Sequence, residues 1–179
     1  MKFLHLLLAL GLAIVSFVSA LPLDGHELQH NNTRRSQDNP PTVAEIMVFM
    51  RQKWDGSRAV FWTRPGLVSD AANYARAYKG QTIESLLAYE EGGTKINKID
   101  DWSKADGSNR DAVIRLASEA FAELADNPTV IMLQPNAVPQ PNAVWTTTEA
   151  PVLRRRGVKV AAVDPNDWDN VWNSNLLGV

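Results

Sequence analysis

Trp145 and Glu149 stand four residues apart at the end of a proline-rich stretch, Gln134–Pro151, which reads Q-P-N-A-V-P-Q-P-N-A-V-W-T-T-T-E-A-P. A flat ring can hold a base, and a carboxylate can stabilise a developing oxocarbenium cation. The pair therefore has the makings of a site that cleaves a glycosidic bond. The stretch follows an apolar run, Thr129–Leu133, that reads as a strand, and it leads into a short segment, about Ala150–Arg156, that reads as a helix. Loops carry Trp and Glu for other reasons too. A carboxylate at a helix N-terminus complements the dipole, and Pro151 suits a first turn.

What the chain lacks narrows the chemistry. Its 179 residues contain no cysteine, and its three histidines, His5, His26 and His30, all precede residue 42. Ser-His-Asp and Cys-His catalysis and ordinary zinc sites are thereby removed from the folded part. A net charge of −2 gives no footprint for nucleic acid, and Arg154-Arg155-Arg156 is too short to change that. Carboxylates, hydroxyls, amides, Lys, Arg and aromatic rings remain.

Residues 1–20 read as a secretory signal, with Lys2 as the positive start, an apolar run from Phe3 to Val18, and Val18-Ser19-Ala20 as a small-residue cleavage site. A secreted, extracellular protein with no membrane association after signal removal is expected. Residues 21–41 are polar and end in Pro40-Pro41, the composition of a flexible arm or propeptide. They hold the sequon Asn31-Asn32-Thr33 and the dibasic pair Arg34-Arg35, which is either a processing site or a solvated pair in a loop. Without disulfides, a secreted domain over 42–179 must rely on its core.

The elements that must position the candidate site follow from patterning. Thr42-Val43-Ala44-Glu45 is a capping box opening a helix with Val43, Ile46, Met47, Met50 and Trp54 on its apolar face. Asp55-Gly56-Ser57 reads as a turn and Ala59–Trp62 as a short buried strand, broken by Thr63-Arg64-Pro65-Gly66. Ser69 is expected to cap a second helix packed through Ala71, Ala72, Ala75 and Tyr78. Thr94–Asn109 reads as loop around Trp102. Ser108 and Asp111 are candidate caps of a long helix striped by Val113, Leu116, Ala117, Ala120, Phe121 and Leu124. Val158–Val163 reads as a further strand, and Trp168 and Trp172 as anchors packing a last turn on the body. Apolar strands alternating with helices imply an α/β fold, a small and mainly parallel sheet flanked by helices. Ligands of such sheets bind beyond the carboxyl ends of the strands, where Trp62, Ser118, Trp145 and Glu149 would meet.

Val60-Phe61-Trp62, Thr82-Ile83-Glu84, Asp101-Trp102-Ser103-Lys104, Ser118-Glu119-Ala120-Phe121-Ala122 and Trp145–Glu149 occur in that order. Over roughly residues 58–163 this resembles the ADP-ribosyl cyclase/cyclic ADP-ribose hydrolase family, and also cysteine-free cyclase-like domains at the ends of bacterial toxins. The resemblance implies that family's fold and cleavage of nicotinamide from NAD+ or NADP+ as a small-molecule dinucleotide substrate, with no cofactor and no metal. It implies Glu149 as the carboxylate that stabilises the ribosyl cation and Trp62 as a stacking platform. Glu84 would bind the nicotinamide amide and bias cyclisation against hydrolysis, and Ser118 would hydrogen-bond the ribose or its phosphate. Trp145 would replace an aromatic of the same loop. Arg64, Lys104 and Arg110 are candidates for the diphosphate, although a solvated face explains each equally well.

Three departures accompany the resemblance. The family carries a second active-site tryptophan four residues before the serine, where this chain has Ile114. The disulfides of eukaryotic members are missing, and an N-terminal helical portion is much reduced. Without the second ring to fold the substrate back on itself, hydrolysis is favoured over cyclisation. Two other readings stay open, a glycosidase using Glu84 and Glu149 as a carboxylate pair, and a secreted binding protein without enzymatic activity. Asp164, Asp167 and Asp169 read first as turn and cap residues rather than a calcium site.

Overall fold

The protein is described by a computed structural model covering residues 40–91, 94–107 and 109–172. The signal, the sequon, the dibasic pair and Ser108 lie outside these residues. All described residues belong to one unit, 36–179.

Thr42 opens the fold as the sequence predicts. Its backbone N–H donates to the Glu45 carboxylate (2.8 Å) while its hydroxyl accepts from the Glu45 N–H (3.3 Å), a reciprocal cap on helix α1, Val43–Arg51. The helix buries Ile46 and Met50, and Trp54 beyond it meets Phe121 edge-on at 5.9 Å. Asp55 Oδ1 accepts from the Ser57 N–H (2.9 Å), and Gly56 takes the left-handed φ of +77° that turns the chain into β1, Arg58–Trp62.

A 3-10 turn, Pro65–Leu67, runs directly into α2, Val68–Ala77. Ser69 therefore lies inside the helix and does not cap it. Proline, with φ already fixed and no N–H to satisfy, starts the turn four residues earlier. Ala71, Tyr74 and Ala75 are buried; the ring of Tyr78, expected on the same face, is exposed and stacks on Tyr74 at 4.5 Å. Gly80 opens the two-residue β2, Gly80–Gln81, and here glycine is required. A Cβ would stand 2.9 Å from both Arg58 O and Val60 Cγ2.

Thr82 and Ser85 form a second capping box, which starts the short α3, Ile83–Leu87. An antiparallel pair follows, β3 (Ala88–Glu91) with β4 (Thr94–Asn97), and then α4 (Lys98–Asp106). The expected loop over Thr94–Asn109 is thus mostly ordered structure. The Asn97 side chain caps α4 (Oδ1 to the Ile99 N–H, 2.9 Å) and Gly107 ends it in the left-handed region; both signals were present inside a stretch whose polarity masked them. Trp102 sits on α4, half-buried, edge-on to Phe49 at 5.7 Å.

Asn109, rather than Asp111, caps the long α5, Arg110–Leu124, which buries Val113, Ala117, Ala120 and Phe121 of its predicted stripe and also Ser118. β5 is Thr129–Met132. The proline-rich stretch ends not as open loop but in a π-helical turn, Trp145–Glu149, continuous with α6, Ala150–Arg155. Gly157, at φ +69°, leads to β6, Val160–Asp164. Trp168 and Trp172 belong to a strand, β7 (Asp167–Trp172), not to a packed last turn. Asp164 and Asp167 do act as turn residues, their Oδ1 atoms accepting from the Asn166 and Asp169 N–H groups.

The result is a mixed α/β fold around a five-stranded sheet ordered β2-β1-β5-β6-β7, parallel except for β7, with β3 and β4 as a separate ribbon. Alternation along the strands sends Ala59, Phe61, Ile131 and Ala162 toward α1, α3, α5 and α6. Val60, Val130, Met132 and Val163 face α2 and Leu67 of the turn before it, with Trp168 packed against them. Phe61 is the centre of the thicker layer, 4.7 Å from Phe121 and 5.5 Å from Trp145. The Arg154–Arg156 run serves this layer: Arg155 pairs with Glu123, and Arg156 donates to Ala122 O at 2.9 Å. Among the described residues no helix is long and apolar enough to cross a membrane.

Candidate active site

Strand β1 carries its apolar run to Trp62 and then releases Thr63 and Arg64 past the carboxyl edge of the sheet. Beside this edge, α5 presents Ile114 and Ser118 one turn apart, so both point the same way. The π-helical turn supplies the opposite wall. Its wide turn returns Trp145 and Glu149 to one face, and both are buried. Side chains hold it in place: Arg115 Nη1 donates to Thr147 Oγ1 (2.8 Å), which donates to Ala143 O (3.0 Å), and Thr146 Oγ1 donates to Gln140 O (2.7 Å).

Between these walls lies a cavity of about 450 Å3, lined by Trp62, Arg64, Ile114, Ser118, Trp145 and Glu149 among others. That volume is within the roughly 300–1,000 Å3 of small-molecule pockets. Four of the five expected site residues therefore line one cavity. Ile114 lines it as well. The fifth, Glu84, is not on the wall; it stands on α3, half-buried, near enough for its charge to act on Glu149.

The two carboxyls have unusual proton affinities. Burial pushes Glu149 up to about 8; a hydrogen bond from the Ser118 side chain works against this, and repulsion from Glu84 adds to it. Burial likewise raises Glu84 to about 7, against hydrogen bonds from its own backbone N–H and the Thr82 side chain. No Arg or Lys pairs with Glu149 among the described residues. It is thus a buried, hydrogen-bonded carboxyl that opens on a cavity. The charge of Glu84 and that of Glu149 thus disfavour each other, and burial raises both proton affinities.

Trp145 is mostly a core residue. It is 2% exposed and meets Phe61 edge-on, so only a margin of its ring reaches the cavity. Trp62 is half-buried and presents more surface. Of the three cations proposed for a diphosphate, only Arg64 lines the cavity, and its side chain forms no ion pair among the described residues. Arg110 is held by Asp100 at 2.9 Å, and Lys104 is exposed on α4 away from the cavity wall. The sequence reading missed Gln140 and Asn142, which line the cavity from the proline-rich stretch; their only signal was their place between Pro139, Pro141 and Trp145. Asp164, Asp167 and Asp169 form no metal-holding group, and none occurs among the described residues.

No protein-family model matches the sequence, and no curated protein matches it. Among solved structures, a crystal structure of ADP ribosyl cyclase complexed with N1-cIDPR aligns over 72% of this chain at 17% identity, with a TM-score of 0.43. The chain spans 59% of the length of that protein.

Proposed function

We propose that the protein is a secreted NAD(P)+ glycohydrolase that cleaves the nicotinamide–ribose bond, with minor ADP-ribosyl cyclase activity beside hydrolysis. The observation that carries this reading is Glu149, a carboxyl without a cationic partner among the described residues, buried beside Ser118 and opening on a cavity walled by Trp62. Nicotinamide leaves as a neutral base. The C1′–N bond breaks with its electron pair going to the ring nitrogen, so no histidine acid is needed. Positive charge develops on the ribosyl carbon and ring oxygen, and an ionised Glu149 placed there stabilises it. One such preorganised group is worth about 3–4 kcal/mol of barrier. Water then forms the new C1′–O bond and releases a proton, giving ADP-ribose.

In this scheme Trp62 stacks on a base, Ser118 orients Glu149 and meets the ribose, and Arg64 takes the diphosphate. Glu84, which does not line the cavity, keeps Glu149 basic. Ile114 in place of a second ring leaves nothing to hold the adenine over the ribose, which favours water as the acceptor.

A second reading has its own observation. Glu149 is 6% exposed and its proton affinity is high, so below pH 8 it is mostly a neutral hydrogen-bond donor. That suits a binding protein without catalysis. Nicotinamide release from NAD+ and NADP+ by the purified protein, beside Glu149→Gln, separates the two. Release that falls by about 10²-fold or more in the variant supports the hydrolase. A folded wild type that releases none overturns it.

A further inference from the structure

Strand β1 ends at the cavity described above but begins at another. A cavity of about 550 Å3 lies at the amino ends of β1, β5 and β6, on the side of the sheet covered by α2. Its polar lining includes Arg58, Tyr74, Asn127, Thr129 and Lys159, and no Asp or Glu lines it. The hydrogen-bonding inventory of these groups is one-sided. Arg58 Nη1 donates to Tyr74 Oη (2.8 Å), and the Tyr74 hydroxyl proton has no acceptor among the described residues. Arg58 makes no other side-chain hydrogen bond among the described residues, and its Nε is buried without a partner. Asn127 Oδ1 is taken by the Lys159 N–H (2.9 Å), so the amide's Nδ2 has only donors left to offer. Thr129 spends its hydroxyl proton on Asp126 O (2.6 Å) and is the exception, with only lone pairs left to offer. Lys159 Nζ has no ion-pair partner among the described residues.

Two cations and two neutral donors thus line one cavity that contains no anion to receive them. The remaining wall is apolar, including Pro128, Val130, Val160 and the half-exposed Val171. We propose that this cavity is a second binding site, separate from the one that holds Glu149, for a small molecule bearing an oxyanion (phosphate or carboxylate) on an apolar body. Arg58 lines the cavity with its charge and the guanidinium N–H groups that Tyr74 does not take, and Lys159 adds a second charge. The proposal does not depend on the hydrolase reading, because it uses none of the same residues.

Calorimetric titration of the full-length protein with phenyl phosphate, benzoate, inorganic phosphate and the neutral benzyl alcohol tests it, with amide NMR shifts locating each probe. Saturable binding of phenyl phosphate or benzoate, shifting amides near Arg58, Thr129 and Lys159, is expected. Affinity should fall by about tenfold in Lys159→Gln and by at least as much in Arg58→Gln, as expected for charge-assisted hydrogen bonds. Lys159 is exposed, so its variant keeps the fold if the Arg58 variant does not. A tighter phenyl phosphate identifies a phosphate ligand, a tighter benzoate a carboxylate, and either upholds the site. Absence of binding at millimolar probe, equal binding of benzyl alcohol, or binding lost in Glu149→Gln but kept in Lys159→Gln would overturn it.

Discussion

The carboxyl of Glu84 raises the proton affinity of Glu149, although one stands on a five-residue helix in the first half of the chain and the other ends a π-helical turn near its close. The capping box of Thr82 and Ser85 fixes where α3 begins, and so where Glu84 stands. Arg115 and Thr147 fix the turn, and so where Glu149 stands.

Removing Glu84 should therefore move the pH profile of the proposed reaction. An ionised Glu149 is required, so activity rises with pH as that group loses its proton near 8. Glu84→Gln takes away a repelling charge, which lowers the proton affinity of Glu149 and shifts the midpoint to lower pH. Nicotinamide release measured across pH 6–9 reads the shift; a midpoint that stays or rises contradicts the coupling.

Stability should fall as pH rises. Glu149 has an ordinary value of 4.5 and about 8 in the folded protein, so between these limits the folded state binds the proton that the unfolded state has lost. Stability is then highest at the acid end and declines by up to about 1.4 kcal/mol per pH unit for this group. Glu149→Gln should flatten its share of the slope and be more stable than wild type above pH 8. Urea melts at several pH values measure both.

Ile114→Trp should raise the share of cyclic product. The side chain lines the cavity one turn before Ser118, so a ring there reaches the substrate space rather than the core alone. Overpacking should cost about 1–3 kcal/mol of stability because the site is half-buried. Chromatographic separation of the products gives the ratio.

Trp145→Ala should cost about 3–5 kcal/mol of stability, as the loss of a fully buried large ring does. Trp145→Phe, which keeps an aromatic contact to Phe61, should restore most of the stability and leave KM nearly unchanged. A large KM effect in the Phe variant would instead make Trp145 a substrate contact.

Arg115→Ala should lower kcat more than it lowers stability. The residue is exposed and its bond to Thr147 is worth about 0.5–1.5 kcal/mol. That bond also holds the turn carrying Glu149, and a small displacement of a reacting group is costly in rate. Thermal melts and initial rates on the same sample separate the two effects.

The legible parts of the chain were those where local signals agreed. Thr42 and Glu45, the stripe from Val113 to Phe121, and the apolar runs at β1, β5 and β6 each carried cap, period and composition together. The segment 94–106 was obscured because its polarity outweighed a cap at Asn97 and a glycine stop at Gly107. β7 was obscured because an edge strand with exposed acids lacks apolar alternation. At the site, Trp62, Ser118 and Glu149 were legible as types at loop and helix positions. That Glu149 is buried, that Trp145 belongs mainly to the core, and that Glu84 does not line the cavity are facts of packing. No local pattern encodes them.

The ends of the sheet also bear on how the protein behaves among its own copies. On one side, β2 is only two residues long and is pressed so closely to β1 that glycine is obligatory. On the other, the pairing of β7 with β6 shifts register between Val163 and Asp164 of β6, and β7 exposes Asp167 and Asp169. Neither border offers a long, flat, uncharged row of backbone groups to a neighbouring chain, which is how sheets avoid growing into aggregates. A domain with no disulfide to slow its unfolding thereby keeps its exposed strand edges from seeding self-association.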